Sequence, residues 1–583
     1  MTLGSTTQVF NDSVGLADKD DLYRVAIGSR SSFNLQLSGI RRGANVDVEL
    51  FSLKGAKAAV LRRIGRINFS NLRASDIRRY LTRLGRSARP GRNNESLNLT
   101  LDAGEFYVRV LRRNGDSSYS LSLSATPENT GGTGGIPGNT PTPTPGVTPT
   151  PTPTPGGTPT PSQFAPTWIR QLGSSANDYG YGIAFSGSNV LVAGTTEGTL
   201  PNGGQNNAGG SDNFVAQYNS DGTPTPLFVR QFGGATSERI FDIEVDSSGN
   251  YYVAGVTINT SSGPIPVVNG FVTKYNSAGA IQWNQPIDTD TNQFDRKADV
   301  ASSLTLDSQG NVFVAGFVGG FPGITPARAF VSKFNGATGA AITTFGNDGR
   351  AEFAGSTSAS EAASGVAVDA DGNVYITGVT NATLGTDLNN PFTGGDAFVV
   401  KYNGSTGAPI WAPQILSSAG QDYARGIAIA GSNVYITGDT TGALSGQTNA
   451  GGTDGFLAQF TQTNNGTTVS QGWLRQFGTT GLDESQGVTT DSTGNVYITG
   501  ETNSALFGGS PAGDSDAFIA KFDSTGTRLA STLLGTAQAD ESYNIRLDGS
   551  GNVYVVGQTQ GNLGGAGSHQ GSYDVWLAKY AAF

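Results

Sequence analysis

Chemistry in this chain has few residue types to draw on. Its 583 residues include no Cys and one His, which excludes disulfides, thiolate metal sites and His-rich zinc sites. The imidazole, His569, lies in the run Gly564-Gly565-Ala566-Gly567-Ser568-His569-Gln570-Gly571, where no neighbours can be assigned as the nucleophile and orienting acid of a Ser-His-Asp triad. It is expected as an exposed loop residue, and no catalytic residue is assigned. Carboxylates are what remains. Seven of them, Asp178, Glu238, Asp299, Glu361, Asp422, Asp483 and Asp540, each precede by 11 or 12 positions an Asn that recurs at 189, 250, 311, 373, 433, 495 and 552. If they ring a channel mouth, their mutual repulsion would be relieved by a hard cation such as Ca²⁺. The alternative is that each acid accepts amide hydrogen bonds from its own loop or a neighbouring blade, which equally requires one acid per unit. No other cofactor is expected.

Two further motifs invite chemistry. Asp369-Ala370-Asp371-Gly372-Asn373 resembles the opening of a calcium loop but lacks the downstream bidentate Glu, and reads as a turn. The Gly-Asn signatures lie between strand-like runs rather than before a helix, so they offer no helix N-terminus to a phosphate. Residues 54–92 hold 12 Lys/Arg against one acid, Asp76. Phe69, Leu72, Ile77, Tyr80, Leu81 and Leu84 recur there near helical spacing. This suits a basic helical insertion whose Arg62, Arg63, Arg66, Arg73, Arg78, Arg79, Arg83 and Arg86 bind an anionic surface, with nucleic acid not expected among the partners. Packing of the apolar face on its own domain, or docking on the chain's acidic remainder, would use the same residues.

The elements that position these groups follow from composition and period. Gly makes up 84 of 583 residues and charged residues 14%, which disfavours helix and suits short strands with tight turns. From residue 136 to 161 alternating Thr-Pro forms a semi-rigid spacer. Beyond it GSNVLVAGTT, SGNYYVAGVT, QGNVFVAGFV, DGNVYITGVT, GSNVYITGDT, TGNVYITGET and SGNVYVVGQT recur about every 60 residues. Each unit holds four strand-like runs, of which the last reads W-x-R-Q-x-G at Trp168–Gly173 and Trp473–Gly478. Four strands per radial repeat is the β-propeller pattern. The fold class is all-β: a small β-sandwich over 1–126 with the insertion at 54–92, a linker over 127–163, and a seven-bladed propeller of four-stranded blades over 164–583. Residues 168–172 precede the first complete unit, and the last unit has no W-x-R-Q run after it. They are therefore expected to close the ring as the outermost strand of the seventh blade.

The repeats resemble the bacterial seven-bladed β-propeller (SBBP) repeat family, through the GNVYITG strand, the D-x-F-x-x-K-Y run (Asp396, Phe398, Lys401, Tyr402) and the W-x-R-Q-x-G strand. Copies two and three depart from it, with Gly270 before Phe271 and Ala329 before Phe330. Residues 5–125 resemble the bacterial pre-peptidase C-terminal domain, through Ala103–Val110 and Gly115–Tyr119. That resemblance implies an accessory domain of exported proteins, in some members associated with calcium.

Residues 1–130 carry a net +8 (20 basic, 12 acidic) and the remainder −18 (16 basic, 34 acidic). No apolar run is long enough to span a bilayer, and the N-terminus lacks the pattern of a signal peptide. The expected function is that of a non-enzymatic, extracellular or cell-surface binding or scaffold protein. Its propeller loop face would meet a glycan or protein partner. The alternative is a polysaccharide-acting propeller enzyme using loop-face carboxylates, although no distinctive polar cluster is seen to break the repeat symmetry.

Overall fold

The computed structural model describes the strands within residues 2–127, and residues 165–582 apart from 260–266, 288–297, 321–325, 354–359, 385–391 and 565–567. The linker lies outside the described residues. The chain divides into two units, Met1–Pro153 and Thr154–Phe583.

In the first unit a five-stranded sheet and a four-stranded sheet form the sandwich. Leu50, Val108 and Val110 of one sheet and Leu35, Leu121 and Leu123 of the other are fully buried. The strands of this unit include Asp20–Ile27, Ser31–Ser38, Asn45–Leu53, Glu95–Leu101, Gly104–Asn114 and Ser117–Pro127. The insertion differs from its expected helix where it is described. Leu81–Ser87 is a strand, paired antiparallel with Asn45–Leu53 so that Leu81 faces Leu53 and Ser87 faces Val48. That ladder supplies partners to backbone groups that a helix containing Gly85 would hold at a cost of about 1 kcal/mol. Arg83 and Arg86 lie on this edge strand. Arg62, Arg63, Arg66, Arg73, Arg78 and Arg79 fall outside the described residues.

The second unit is the seven-bladed propeller. Its seven first strands are Asp178–Ser186, Ser237–Val245, Ala298–Leu306, Ser360–Val368, Asp422–Ala430, Asp483–Thr490 and Asp540–Leu547. Each packs against the first strand of the next unit, and the seventh against the first, so they form the innermost ring. The recurrent signature is the second strand of each blade, and the D-x-F-x-x-K-Y run the third in blades that carry it. Closure occurs as expected: Trp168–Leu172 pairs antiparallel with Asp574–Tyr580, with Trp168 opposite Lys579 and Leu172 opposite Val575.

The repeated residues stitch blades together. In the turn between first and second strands, Asp491 Oδ1 accepts from the amides of Thr493 and Asn495 at 2.9 Å each, and its Oδ2 from Asn495 Nδ2 at 2.8 Å. Asp369 does the same work in the run that resembled a calcium loop, accepting from the amides of Asp371 and Asn373. The third-strand lysine then reaches out of the blade. Lys579 Nζ donates to Ser220 O at 2.8 Å, Lys274 to Gly336 O at 2.8 Å and Lys333 to Gly404 O at 2.7 Å, each acceptor lying in the next blade's outer turn. Indole nitrogens of outer strands join the same carbonyls: Trp168 to Ser220 O and Trp283 to Gly336 O. Stacked sheets with fully buried Tyr252, Tyr375, Tyr435, Tyr497 and Tyr554 complete the interfaces.

Candidate functional site at the propeller axis

The seven acids singled out by sequence all begin, or lie next to the start of, an innermost strand, and all are buried, at most 8% exposed. Five of them latch the turn that precedes them. Asp178 Oδ2 accepts from Ser174 N at 2.6 Å, Asp422 from Ser418 N at 2.6 Å, Asp483 from Thr479 N at 2.6 Å and Asp540 from Thr536 N at 2.5 Å; Glu238 accepts from Gly234 N at 3.2 Å. Hydroxyls add to the latch, as Thr502 Oγ1 does on Asp483 at 2.6 Å. In blades 3 and 4 a bulge at the acid changes its partner. Asp299 accepts from Gly319 N, and Glu361 pairs with Arg328 at 3.5 Å. Among the described residues no three His, Asp or Glu groups lie together as a metal ion would require. Six of the seven acids are thus engaged within their own blade, and Glu361 by Arg328 of the preceding blade.

Burial raises these carboxyls. Asp178 is pushed up to about 6, because burial outweighs the hydrogen bonds from Thr196 and Ser174. Asp422, Asp483 and Asp540 move the same way for the same reason.

One residue further along each innermost strand, the repeat stops being a repeat. Across the first two strands the facing pairs are Tyr179 with Thr195, Arg239 with Val256, Val300 with Phe317 and Ala362 with Val379. They continue as Tyr423 with Asp439, Glu484 with Glu501, and Glu541 with Gln558. Blades 3 and 4 are apolar in this row and blade 2 half so, whereas blades 5 to 7 carry four carboxylates. Two positions after this row every innermost strand bulges. The bulged residues are Tyr181, Phe241, Ser302, Ser364, Arg425, Gln486 and Tyr543, all half-buried. A bulge re-aims a side chain out of the ladder, and conserving the bulge while varying its residue separates scaffold from site.

The two tiers touch. Tyr181 lies 5.1 Å from Tyr543 and 6.0 Å from Phe241, ring to ring, so it meets the blades on both sides, and Tyr179 joins it at 6.3 Å. Tyr543 donates to Glu541 Oε2 at 2.5 Å, and Gln558 Nε2 donates to the same oxygen at 2.8 Å. Burial and then Glu541 raise the Tyr543 phenol well above its ordinary value. Arg425 donates to Asp439 and, at 3.3 Å, to Glu484 Oε2, while its guanidinium lies 4.9 Å from the Tyr423 ring centre. Burial alone would lower this guanidinium, but the two carboxylates outweigh it and hold it above its usual range. At the far end of the innermost strands Arg546 of blade 7 pairs with Glu244 of blade 2 at 3.1 Å, reaching past blade 1.

A family model described as a beta-propeller repeat, SBBP, matches residues 355–385, 472–508 and 531–564. The chain carries SBBP propeller repeats. No curated protein matches. Among solved structures, the chain is similar to the pre-peptidase C-terminal domain of a collagenase from Bacillus anthracis, at 17% identity over 21% of this chain and 92% of that one, with a TM-score of 0.15. A Hadza microbial sialidase, Hz136, matches at 10% identity over 98% of this chain and 99% of that one, TM-score 0.34. The polysaccharide lyase Uly1 matches at 11% identity over 70% and 90%, TM-score 0.38.

The SBBP signature residues are thus the ones spent on scaffold, and the axial set lies at positions the signature leaves variable. Sequence reading saw no distinctive polar cluster because its members are dispersed, two or three per unit, from Tyr179 to Gln558. Aligning the seven copies and looking for the columns that refuse to repeat would have found it. His569 also differs from expectation: it is half-buried, its Nδ1 lying 3.5 Å from Asp574 Oδ2 and 3.4 Å from Gln171 Nε2. Gln171 belongs to the ring-closing strand, so the loop histidine is drawn against that seam.

Proposed function

We propose that this protein is a non-enzymatic binding protein, displayed outside the cell, that takes a glycan at the axial mouth of its propeller. The observation that carries this reading is the row of bulged residues: the bulge recurs in all seven blades, while the residue on it differs among most of them, from Tyr181 and Phe241 through Ser302 and Ser364 to Arg425, Gln486 and Tyr543. Tyr179, Tyr181, Phe241 and Tyr543 offer flat, half-buried rings of the kind that cover the C–H face of a sugar, and the neighbouring carboxylates accept from its hydroxyls. Half-burial leaves part of each ring for a ligand while packing holds it in place. The sandwich and its arginine-rich segment would dock the protein on an anionic surface, and among the described residues no helix is long and apolar enough to cross a membrane.

A glycan array probed with the full chain and with Tyr181→Ser tests the reading. Binding that is lost in the variant is expected; binding indifferent to it, or none, refutes the axial site. One observation favours a second reading as an enzyme on polysaccharide. Glu484 and Glu501 face each other directly across two strands, two carboxylates side by side of the kind that general acid and base chemistry uses. A hydrolysis and elimination screen on the glycans that bind would show turnover, lost in Glu501→Gln, if this second reading holds.

A further inference from the structure

The chemistry around the axis also selects a ligand class, an inference that rests on the axial glycan site proposed above. We infer that the mouth accepts sugars rich in hydrogen-bond donors, neutral or amino-substituted, and excludes acidic ones.

Charge is the first argument. The axial row and bulges carry Asp439, Glu484, Glu501 and Glu541 against Arg239 and Arg425. Arg425, moreover, is already held between Asp439 and Glu484. A uronate or sialate entering here would meet net negative charge in a partly desolvated site, where like charges repel strongly.

Unused acceptors are the second argument, and they are independent of charge. Gln558 is 2% exposed; its Nε2 is spent on Glu541, yet its Oε1 has no hydrogen-bond partner. Asn213 Oδ1, on the third strand opposite Thr195, is likewise buried without a partner. A buried acceptor left unpaired is destabilising, a cost that a donor-bearing ligand would remove. Hydroxyl, amine and acetamido N–H groups supply such donors, whereas a carboxylate adds only acceptors.

The test is axis-dependent binding, defined as what the full chain binds and Tyr181→Ser does not, measured across neutral, amino and acidic oligosaccharides of equal length. Axis-dependent binding confined to neutral or amino sugars supports the inference. Salt separates these two, since amino-sugar binding weakens as ionic strength rises and neutral-sugar binding does not. Axis-dependent binding of a polyuronate or sialylated glycan overturns the inference while leaving the binding site standing. No axis-dependent binding overturns both. Glu501→Gln provides a second readout that preserves side-chain size. It should improve binding of acidic sugars by about tenfold or more and change binding of uncharged ones far less. Equal effects on the two classes would also overturn the inference.

Discussion

Asp178 shows how one carboxylate can be both latch and liability. It is fully buried, with its oxygens held by Ser174 and Thr196, and burial still pushes it from 3.8 to about 6. The folded chain therefore binds this proton more tightly than the unfolded chain does. Between about pH 4 and pH 6 the unfolded state has released the proton and the folded state has not, so stability falls as pH rises through that window. The share from this group is on the order of 3 kcal/mol. Asp178→Asn keeps an acceptor for Ser174 N and should flatten part of the decline in unfolding temperature between pH 4 and 6, as followed by calorimetry. In blade 5, a Cβ on Gly478 would lie 2.2 Å from Asp454 Oδ1. Gly478→Ala should cost about 2 kcal/mol or more by forcing the carboxylate aside. Asp454→Ala forfeits the bonds from Gln476 Nε2 and Ala450 N, at about 1–3 kcal/mol. Because the second change removes the clash created by the first, denaturant unfolding of the double variant should show a loss smaller than the sum by about 1 kcal/mol.

Within a blade, the unit of organisation is the pair formed by the Asp turn and the third-strand lysine. Lys333 places its ammonium 3.5 Å from Asp307 and 4.7 Å from the Phe313 ring centre, then donates to Gly404 O in the next blade. One side chain thus ties a hairpin, an aromatic core residue and an inter-blade contact. Both partners of the ion pair are buried, with side chains 9% and 6% exposed. Lys333→Met retains the packing of the stem but leaves Asp307 charged and unpaired by a cation, and should destabilise by about 3–5 kcal/mol in urea unfolding. A merely exposed pair would give 1 kcal/mol or less, so the measurement distinguishes the two.

Across the whole molecule, stability depends on the seam. Trp168–Leu172 is remote in sequence from Asp574–Tyr580, and five residue pairs join them. Trp168 is 9% exposed, packs edge-on against Tyr554 at 5.9 Å and donates to Ser220 O in blade 1. Gln171 adds bonds of 2.9 Å to Asp574 Oδ2 and Gly561 O. Trp168→Ala should cost about 3–5 kcal/mol. Deleting residues 164–173 should lower the unfolding temperature of the entire propeller in one transition, because an open seam exposes the edge of blade 7 and one face of blade 1. An unchanged calorimetric trace would show that the seam carries no stability.

The sequence by itself determined the architecture. A period near 60 residues, four strand runs per unit and an orphan W-x-R-Q run before the first copy suffice for seven blades and their closure, because hydrophobic alternation and turn residues are local signals. They also located seven buried acids at the starts of the innermost strands, five of which latch their own turn, since a residue with a local task recurs at a nearly fixed offset. Tertiary structure decided the rest. Arg425 finds Glu484 and Tyr181 finds Tyr543 only because the ring brings first strands together that lie 59 and 362 residues apart. No periodicity marks such pairs, for the site consists of the positions where period is abandoned. The same limit governs the strand at Leu81–Ser87: its apolar spacing resembles a helix locally, and the ladder offered by Asn45–Leu53, a partner distant in sequence, overrides it.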